Sequence, residues 1–266
     1  MKTPHAHSWP SPGPFRVAHL RPGDPYELSD GHSIASEPAG RRHGRRNLVG
    51  AVALASDPAV EAAGVDVGFA LDEYTLRAPD VAIGNLADEA GFATGAPTLA
   101  LEYVEENAND VNLVRKIAEL LAAGTQVVWV VRLGGERHVE VHRPGAPPAV
   151  YRRGDNLTAP GILQNPVPVD ALYDYRVACE VAFRNELQRK GYASLDAIHD
   201  EGMMLGGLAQ ARTGLRHVLV ARGLALTASH DARIDACTDV TSLDRWLQAA
   251  VLATTENDVF GGANES

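Results

Sequence analysis

The chain has 266 residues, 45% of them apolar, and a formal net charge of −10. That length accommodates one large domain or a domain with a smaller companion, and the apolar content supports a packed core, which excludes a disordered chain. No apolar run reaches the roughly 18 residues of a membrane-spanning helix, and the acidic balance argues against a broad electrostatic footprint on nucleic acid, leaving "RRHGRR" at 41–46 as a local basic patch or a solvated helix start.

In chain order, residues 1–14 are rich in Pro, Ser and His and read as a flexible leader. They lack the apolar segment of a secretory signal, so a cytoplasmic location is expected. "FRVAHLRPGDPYELSDGHSIAS" predicts a hairpin turning at Ser29–His32, with Asp30-Gly31 at its tip. A helical pattern over 42–56 ends at Asp57-Pro58. "GVDVGFAL" reads as one strand by alternation, "TLRAPDVAIGN" as the next and "TLALEYV", after Pro97, as a third. Asn109 or Asp110 can cap a helix of about 14 residues that stops at Gly124. "QVVWVVRL" is a near-continuous apolar strand of the kind covered on both faces, and "GGERHVEVHRPG" returns as its hairpin partner. A Gly/Pro-rich stretch over 144–168 closes this mixed α/β part.

From about residue 172 the apolar spacing turns helical and strand signals fade. The expected organisation is therefore a leader over 1–14, a mixed-sheet α/β domain over 15–172 and an all-helical region over 173–266. In the last of these, Leu243, Trp246 and Leu247 form an apolar stripe of the type that usually packs in a core. Cys179 and Cys237 lie far apart in helical stretches and read as small hydrophobes, not as a disulfide or metal site.

The stretch "LALEYVEENANDVNLVRK" (99–116) carries the chemistry. The chain has 24 basic residues but only three lysines, Lys2, Lys116 and Lys190. Glu102 interrupts an apolar strand, Asp80 follows Pro79 in the preceding strand, and Lys116 lies in the helix after Glu102. Neighbouring strands would bring the two carboxylates to one end of a sheet. Two hard oxygen ligands there suit Mg²⁺, which keeps several waters, and a lysine reaching back could orient a nucleophile or offset charge on a phosphoryl centre. Taken singly, an Asp after Pro is a common turn residue, a strand Glu commonly faces solvent and a helical Lys is commonly solvated. Spacing alone leaves both readings open.

The series "YELSDG" (26–31), "PAGRRHGRRNLVGAV" (38–52), "RAPDVAI" (77–83), "LALEYV" (99–104), "KIAELLAAGTQVVWVV" (116–131) and "RHVEVHRPG" (137–145) resembles the bacterial Uma-two family of restriction-endonuclease-like proteins, over about residues 25–172 and in unbroken order. That family sits within the PD-(D/E)XK nuclease superfamily. The resemblance implies a restriction-endonuclease-like core that hydrolyses DNA phosphodiesters with a metal-activated water and Mg²⁺ or Mn²⁺ as cofactor. It implies Asp80 and Glu102 as metal-binding carboxylates, the Tyr103 backbone carbonyl completing the metal shell, and Lys116 in the role the superfamily usually gives to the strand position held here by Val104. Glu27 matches an acidic hairpin residue and would be an accessory ligand or a hairpin residue. His43 matches a histidine at the start of the first helix and would contact phosphate or serve as a cap.

Two departures stand out. The family usually continues after the Glu with a Ser-Pro-Ser segment where this chain has "VEENAND", and it usually has Tyr where this chain has Leu120. The competing readings are a nuclease-fold module that binds without cleaving, and a nuclease acting on RNA. Expected partners are DNA and a second copy of the chain, paired through the C-terminal helices, with no membrane.

Overall fold

A computed structural model describes residues 13–35, 41–105 and 110–261, without the side chains of residues 42, 43 and 110. Most of the leader expected over 1–14 and most of the acidic segment after Glu105 thus lie outside the described residues. By their contacts the residues fall into two units, one ending at Gly191 and one beginning at Tyr192.

The first unit opens with the hairpin β1 (Tyr26–Ser29) and β2 (His32–Ala35). Asp30 and Gly31 have φ of 48° and 76°, the left-handed pair that a two-residue hairpin turn requires. Helix α1 spans Arg41–Ala55. Then come β3 (Ala63–Val65), β4 (Phe69–Ala70), β5 (Leu76–Arg77), β6 (Val81–Ile83), β7 (Ala93–Thr94) and β8 (Leu99–Val104). Helix α2 (Asp110–Ala122) leads into β9 (Val127–Arg132), β10 (His138–His142) and β11 (Ala149–Arg152), and α3 (Tyr175–Arg189) ends the unit.

These strands build two larger sheets, in the orders β2-β1-β5-β4-β7 and β11-β10-β9-β8-β6-β3. The fold class is mixed α/β, as expected, but two strand assignments need correction. "GVDVGFAL" and "TLRAPDVAIGN" are each divided between the two sheets: β3 and β6 pair in one, β4 and β5 in the other. The break in the second falls at Ala78-Pro79-Asp80. Proline has no N–H to give a ladder, so the chain can leave one sheet there and enter the other.

The centre of the larger sheet is the parallel pair β8 and β9, joined by α2 and buried on both faces. Leu99, Leu101 and Tyr103 pack with Trp129 and Val131 in the core that also holds Val49 and Ala53 of α1. Ala100 and Val104 pack with Val128 and Val130 against Ile117 and Leu120 of α2. Helical cover on both faces explains the near-continuous apolar run of β9, and β8, expected to alternate, is buried on both faces as well. α1 can lie close to β8 because residue 50 is glycine; a Cβ there would sit 2.8 Å from the Tyr103 hydroxyl oxygen. The boundary after Gly191 lies one helix beyond residue 172, because α3 packs on α1.

The second unit comprises α4 (Leu195–Ala221), α5 (Ala228–Ala236), α6 (Val240–Leu252) and α7 (Glu256–Phe260). Each of the first three starts on a side-chain cap, from Ser194, Thr227 and Asp239. Leu208, Leu215 and Leu219 of α4 form its core with Ile234, Leu243, Val259 and Phe260. Leu243 is buried, and Trp246 and Leu247 pack partly against the same core. Among the described residues no helix is long and apolar enough to cross a membrane.

Candidate active site

Pairing of Val81 with Leu101 in the antiparallel β6–β8 ladder makes Asp80 and Glu102 the next opposed positions. The ladder ends there, and the Asp80 side chain takes up the amide left over: Tyr103 N–H donates to Asp80 Oδ2 at 2.6 Å. Asp80 and Glu102 are both buried, each 7% exposed. From α1, Asn47 donates through its side-chain amide to Asp80 and to Asp66, at 3.4 and 3.3 Å.

Glu102 projects to the α2 side of β8, between Ala100 and Val104. Val104 of β8 and Lys116 of α2 therefore face the same space from opposite sides. Lys116 Nζ lies 2.8 Å from Glu102 Oε1. It donates to Glu27 Oε1 at 3.1 Å and to the Ala78 carbonyl at 2.8 Å. The contact with Glu102 is an ion pair by distance but is not aligned as a hydrogen bond, leaving that oxygen's accepting capacity unused.

Behind Lys116 runs a second ionic layer. Arg77, 1% exposed, donates to Glu27 Oε2 at 3.0 Å and to Glu119 Oε2 at 2.5 Å. Ser29 Oγ donates to the other Glu119 oxygen at 2.5 Å. Glu27 thus sits between two cations, and its described partners are Arg77 and Lys116. Leu120, the departure from the usual Tyr, is fully buried in the apolar cluster under α2. It fills core one helical turn after Lys116 and leaves the ionic residues in place.

Burial pushes the Glu102 carboxyl up to about 8; the Lys116 ammonium opposes this, and Asp80 and Glu27 add to it. Burial pulls Lys116 down, but the carboxylates of Glu102, Glu27 and Asp80 outweigh it and hold the ammonium above its usual range. Burial also raises Tyr103, which stays a neutral phenol and donates to the Leu172 carbonyl at 2.9 Å.

The donor set fits a divalent cation. Asp80 and Glu102 place two buried carboxyl groups side by side, and Glu102 Oε1 has no hydrogen-bond donor among the described residues; hard oxygen atoms gathered in this way suit such an ion. Among the described residues no group of three or more His, Cys, Asp or Glu side chains is arranged to hold a metal. Two carboxylates with the remaining positions left to water and substrate oxygens is how Mg²⁺ is commonly held.

Sequence reasoning expected Asp80, Glu102 and Lys116 to converge, and the structure brings them together with Glu27. His43 lies outside the described side chains. Asn47, Arg77 and Glu119 were not singled out by sequence reasoning. The one available signal is Arg77, a charged residue directly after Leu76 in the extended stretch "TLRAPDV".

Residues 14–169 match the model of the Uma2 family, described as "Putative restriction endonuclease". That span is more than half of the chain. The chain belongs to the Uma2 family. Its Uma2 segment contains both larger sheets and every charged residue of the site above. A solved structure of a putative nuclease belonging to DUF820 from Anabaena variabilis ATCC 29413 is similar at 17% identity and a TM-score of 0.48, covering 59% of this chain and 95% of that one. No curated protein matches the chain.

Proposed function

We propose that this Uma2 protein is a metal-dependent endonuclease that hydrolyses phosphodiester bonds in DNA. The observation that carries the reading is the opposed pair Asp80 and Glu102 with Lys116 Nζ 2.8 Å from Glu102. Asp80, Glu102 and the Tyr103 backbone carbonyl would hold Mg²⁺ or Mn²⁺. The cation supplies Lewis acidity at a phosphoryl oxygen and eases deprotonation of the attacking water.

The chain's own residues do the rest. Tyr103 N–H and Asn47 fix the Asp80 carboxylate from two sides, so it meets a ligand without reorganising. Lys116 orients the attacking oxygen and offsets negative charge that grows on the phosphoryl group. Glu27 acts on Lys116 by holding the ammonium over Glu102, and is a positioning residue in this reading, not a metal ligand. The C-terminal helices are the proposed dimer contact; Met203, Met204 and Leu205 of α4 are exposed.

The test is cleavage of supercoiled plasmid DNA with Mg²⁺ or Mn²⁺. Nicking or linearisation by the wild type, lost with EDTA and in Asp80→Asn, supports the reading; equal cleavage by wild type and Asp80→Asn contradicts it. A second reading, a nuclease fold that binds without cleaving, draws on the same Lys116–Glu102 contact, because an ammonium on Glu102 competes with a cation. Absence of Mn²⁺ binding at millimolar concentrations, with no cleavage of DNA or RNA, would favour it.

A further inference from the structure

The "RRHGRR" run is not used by the carboxylate site. Helix α1 begins at Arg41, and Arg41, Arg45 and Arg46 line a cleft of about 700 Å³ together with Arg176, Tyr173 and Tyr175 from the start of α3. Neither helix has an acidic residue in its first turn. Arginines there oppose the helix dipole, whose positive end favours anions. The fold gains nothing evident from this placement: Arg41 and Arg45 are exposed, and neither has an ion-pair partner among the described residues. Among the described residues Arg176 has an ion pair only with Glu180, a surface contact at 3.7 Å of the kind worth little. Arg46 alone is tied down, donating to the Tyr173 carbonyl. Asp174 also lines the cleft, but its carboxylate is engaged as the α3 cap on Arg176 N–H at 2.8 Å.

Four guanidinium groups and two helix starts therefore converge in a chain of net charge −10. Guanidinium forks and helix N-termini share one preferred ligand chemistry, the oxygen atoms of phosphates. The cleft also adjoins the carboxylate site through covalent neighbours. Arg46 precedes Asn47, which contacts Asp80, and Tyr173 follows Leu172, whose carbonyl accepts from Tyr103.

We infer that this cleft binds the phosphate backbone of the nucleic-acid substrate, on the stretch flanking the phosphodiester presented to Asp80 and Glu102. The inference rests on the nuclease reading for its placement, and its own content is the phosphate contact. The acidic chain would then meet its polyanionic substrate through one local basic surface.

The test is fluorescence anisotropy with a labelled short DNA duplex in EDTA over a series of KCl concentrations. Compared with wild type are the double variant Arg41→Ala/Arg45→Ala and a control of equal charge loss, Arg152→Ala/Arg153→Ala, on the exposed β11 edge. Each phosphate contact adds about 0.9 to the slope of log affinity against log salt for duplex DNA, so the first variant loses about 2 from that slope and the control keeps it. Calorimetric Mn²⁺ binding stays at the wild-type value in both. An unchanged slope, equal weakening by the two doubles, or no duplex binding by the wild type overturns the inference. Wild-type protein that never cleaves, yet shows the slope change, would remove the nuclease reading and leave the phosphate cleft standing. Wild-type protein that cleaves, with the first variant unchanged in binding and slope, would remove the cleft alone.

Discussion

Asp80 and Glu102 are opposed across neighbouring strands, one position past the Val81–Leu101 pair, and the Asp80 carboxylate accepts the Tyr103 amide that the ladder leaves over. The sheet's own hydrogen-bond geometry therefore sets their spacing. Asp80→Asn keeps an acceptor for that amide, and Glu102→Gln keeps the shape of the strand, so both variants should fold. Each should lose cleavage by on the order of a hundredfold or more and bind Mn²⁺ about ten- to a hundredfold more weakly. Plasmid cleavage and calorimetry read the two effects, and unaltered melting separates them from unfolding.

Lys116 is a compact donor held by Glu102, Glu27 and the Ala78 carbonyl. A guanidinium fork cannot place a single nitrogen against all three of these groups at once. Lys116→Arg and Lys116→Met should both lower kcat by on the order of a hundredfold while retaining Mn²⁺ binding. Near-wild-type turnover in Lys116→Arg would show that charge alone suffices.

Arg77 connects Glu27 to Glu119 from a position 1% exposed. Removing one partner from a buried ionic network leaves the others uncompensated. Arg77→Met should cost about 3–5 kcal/mol in a chemical-denaturation curve, far more than Arg152→Met at the exposed sheet edge.

Glu102 sits at about 8 in the folded protein against 4.5 for an ordinary glutamate. The folded state then holds this proton more tightly than the unfolded chain does, and the associated stability is complete below about pH 4.5 and lost as the pH rises to about 8. Metal-free protein should accordingly melt at lower temperature across that window, with Glu102→Gln flattening the trend. Mn²⁺ affinity should move the other way, rising over the same window as the ligand deprotonates. A melting profile identical in Glu102→Gln would contradict the burial argument.

Gly50 brings α1 close to β8, and a methyl group there meets the Tyr103 hydroxyl at 2.8 Å. Gly50→Ala should destabilise the fold by about 1–3 kcal/mol through overpacking, even though alanine is the better helix former. Denaturant midpoints report the sign.

The elements legible in the sequence are those fixed by local pattern. Asp-Gly specifies the hairpin turn, the near-continuous apolar run of β9 announces cover on both faces, and Gly124 marks where α2 stops. "GVDVGFAL" and "TLRAPDVAIGN" misled because alternation says that a segment is extended, not which sheet it joins. Two- and three-residue strands such as β4 and β6 are decided by distant partners. Asp80, Glu102 and Lys116 stand out as charged residues in or beside apolar segments, but their spacing leaves the surface reading open, and it is the family resemblance that joins them into one site. Asn47 and Glu119 do not stand out, since a polar residue in an amphipathic helix looks the same whether it faces water or a buried arginine.

The most direct test of the site is a crystal soaked in Mn²⁺ and measured for anomalous scattering. The account predicts a peak bridging the carboxylates of Asp80 and Glu102, with the Tyr103 carbonyl in its shell and Lys116 alongside. Density at other carboxylates with none between these two, at millimolar Mn²⁺ and above pH 8, would contradict it.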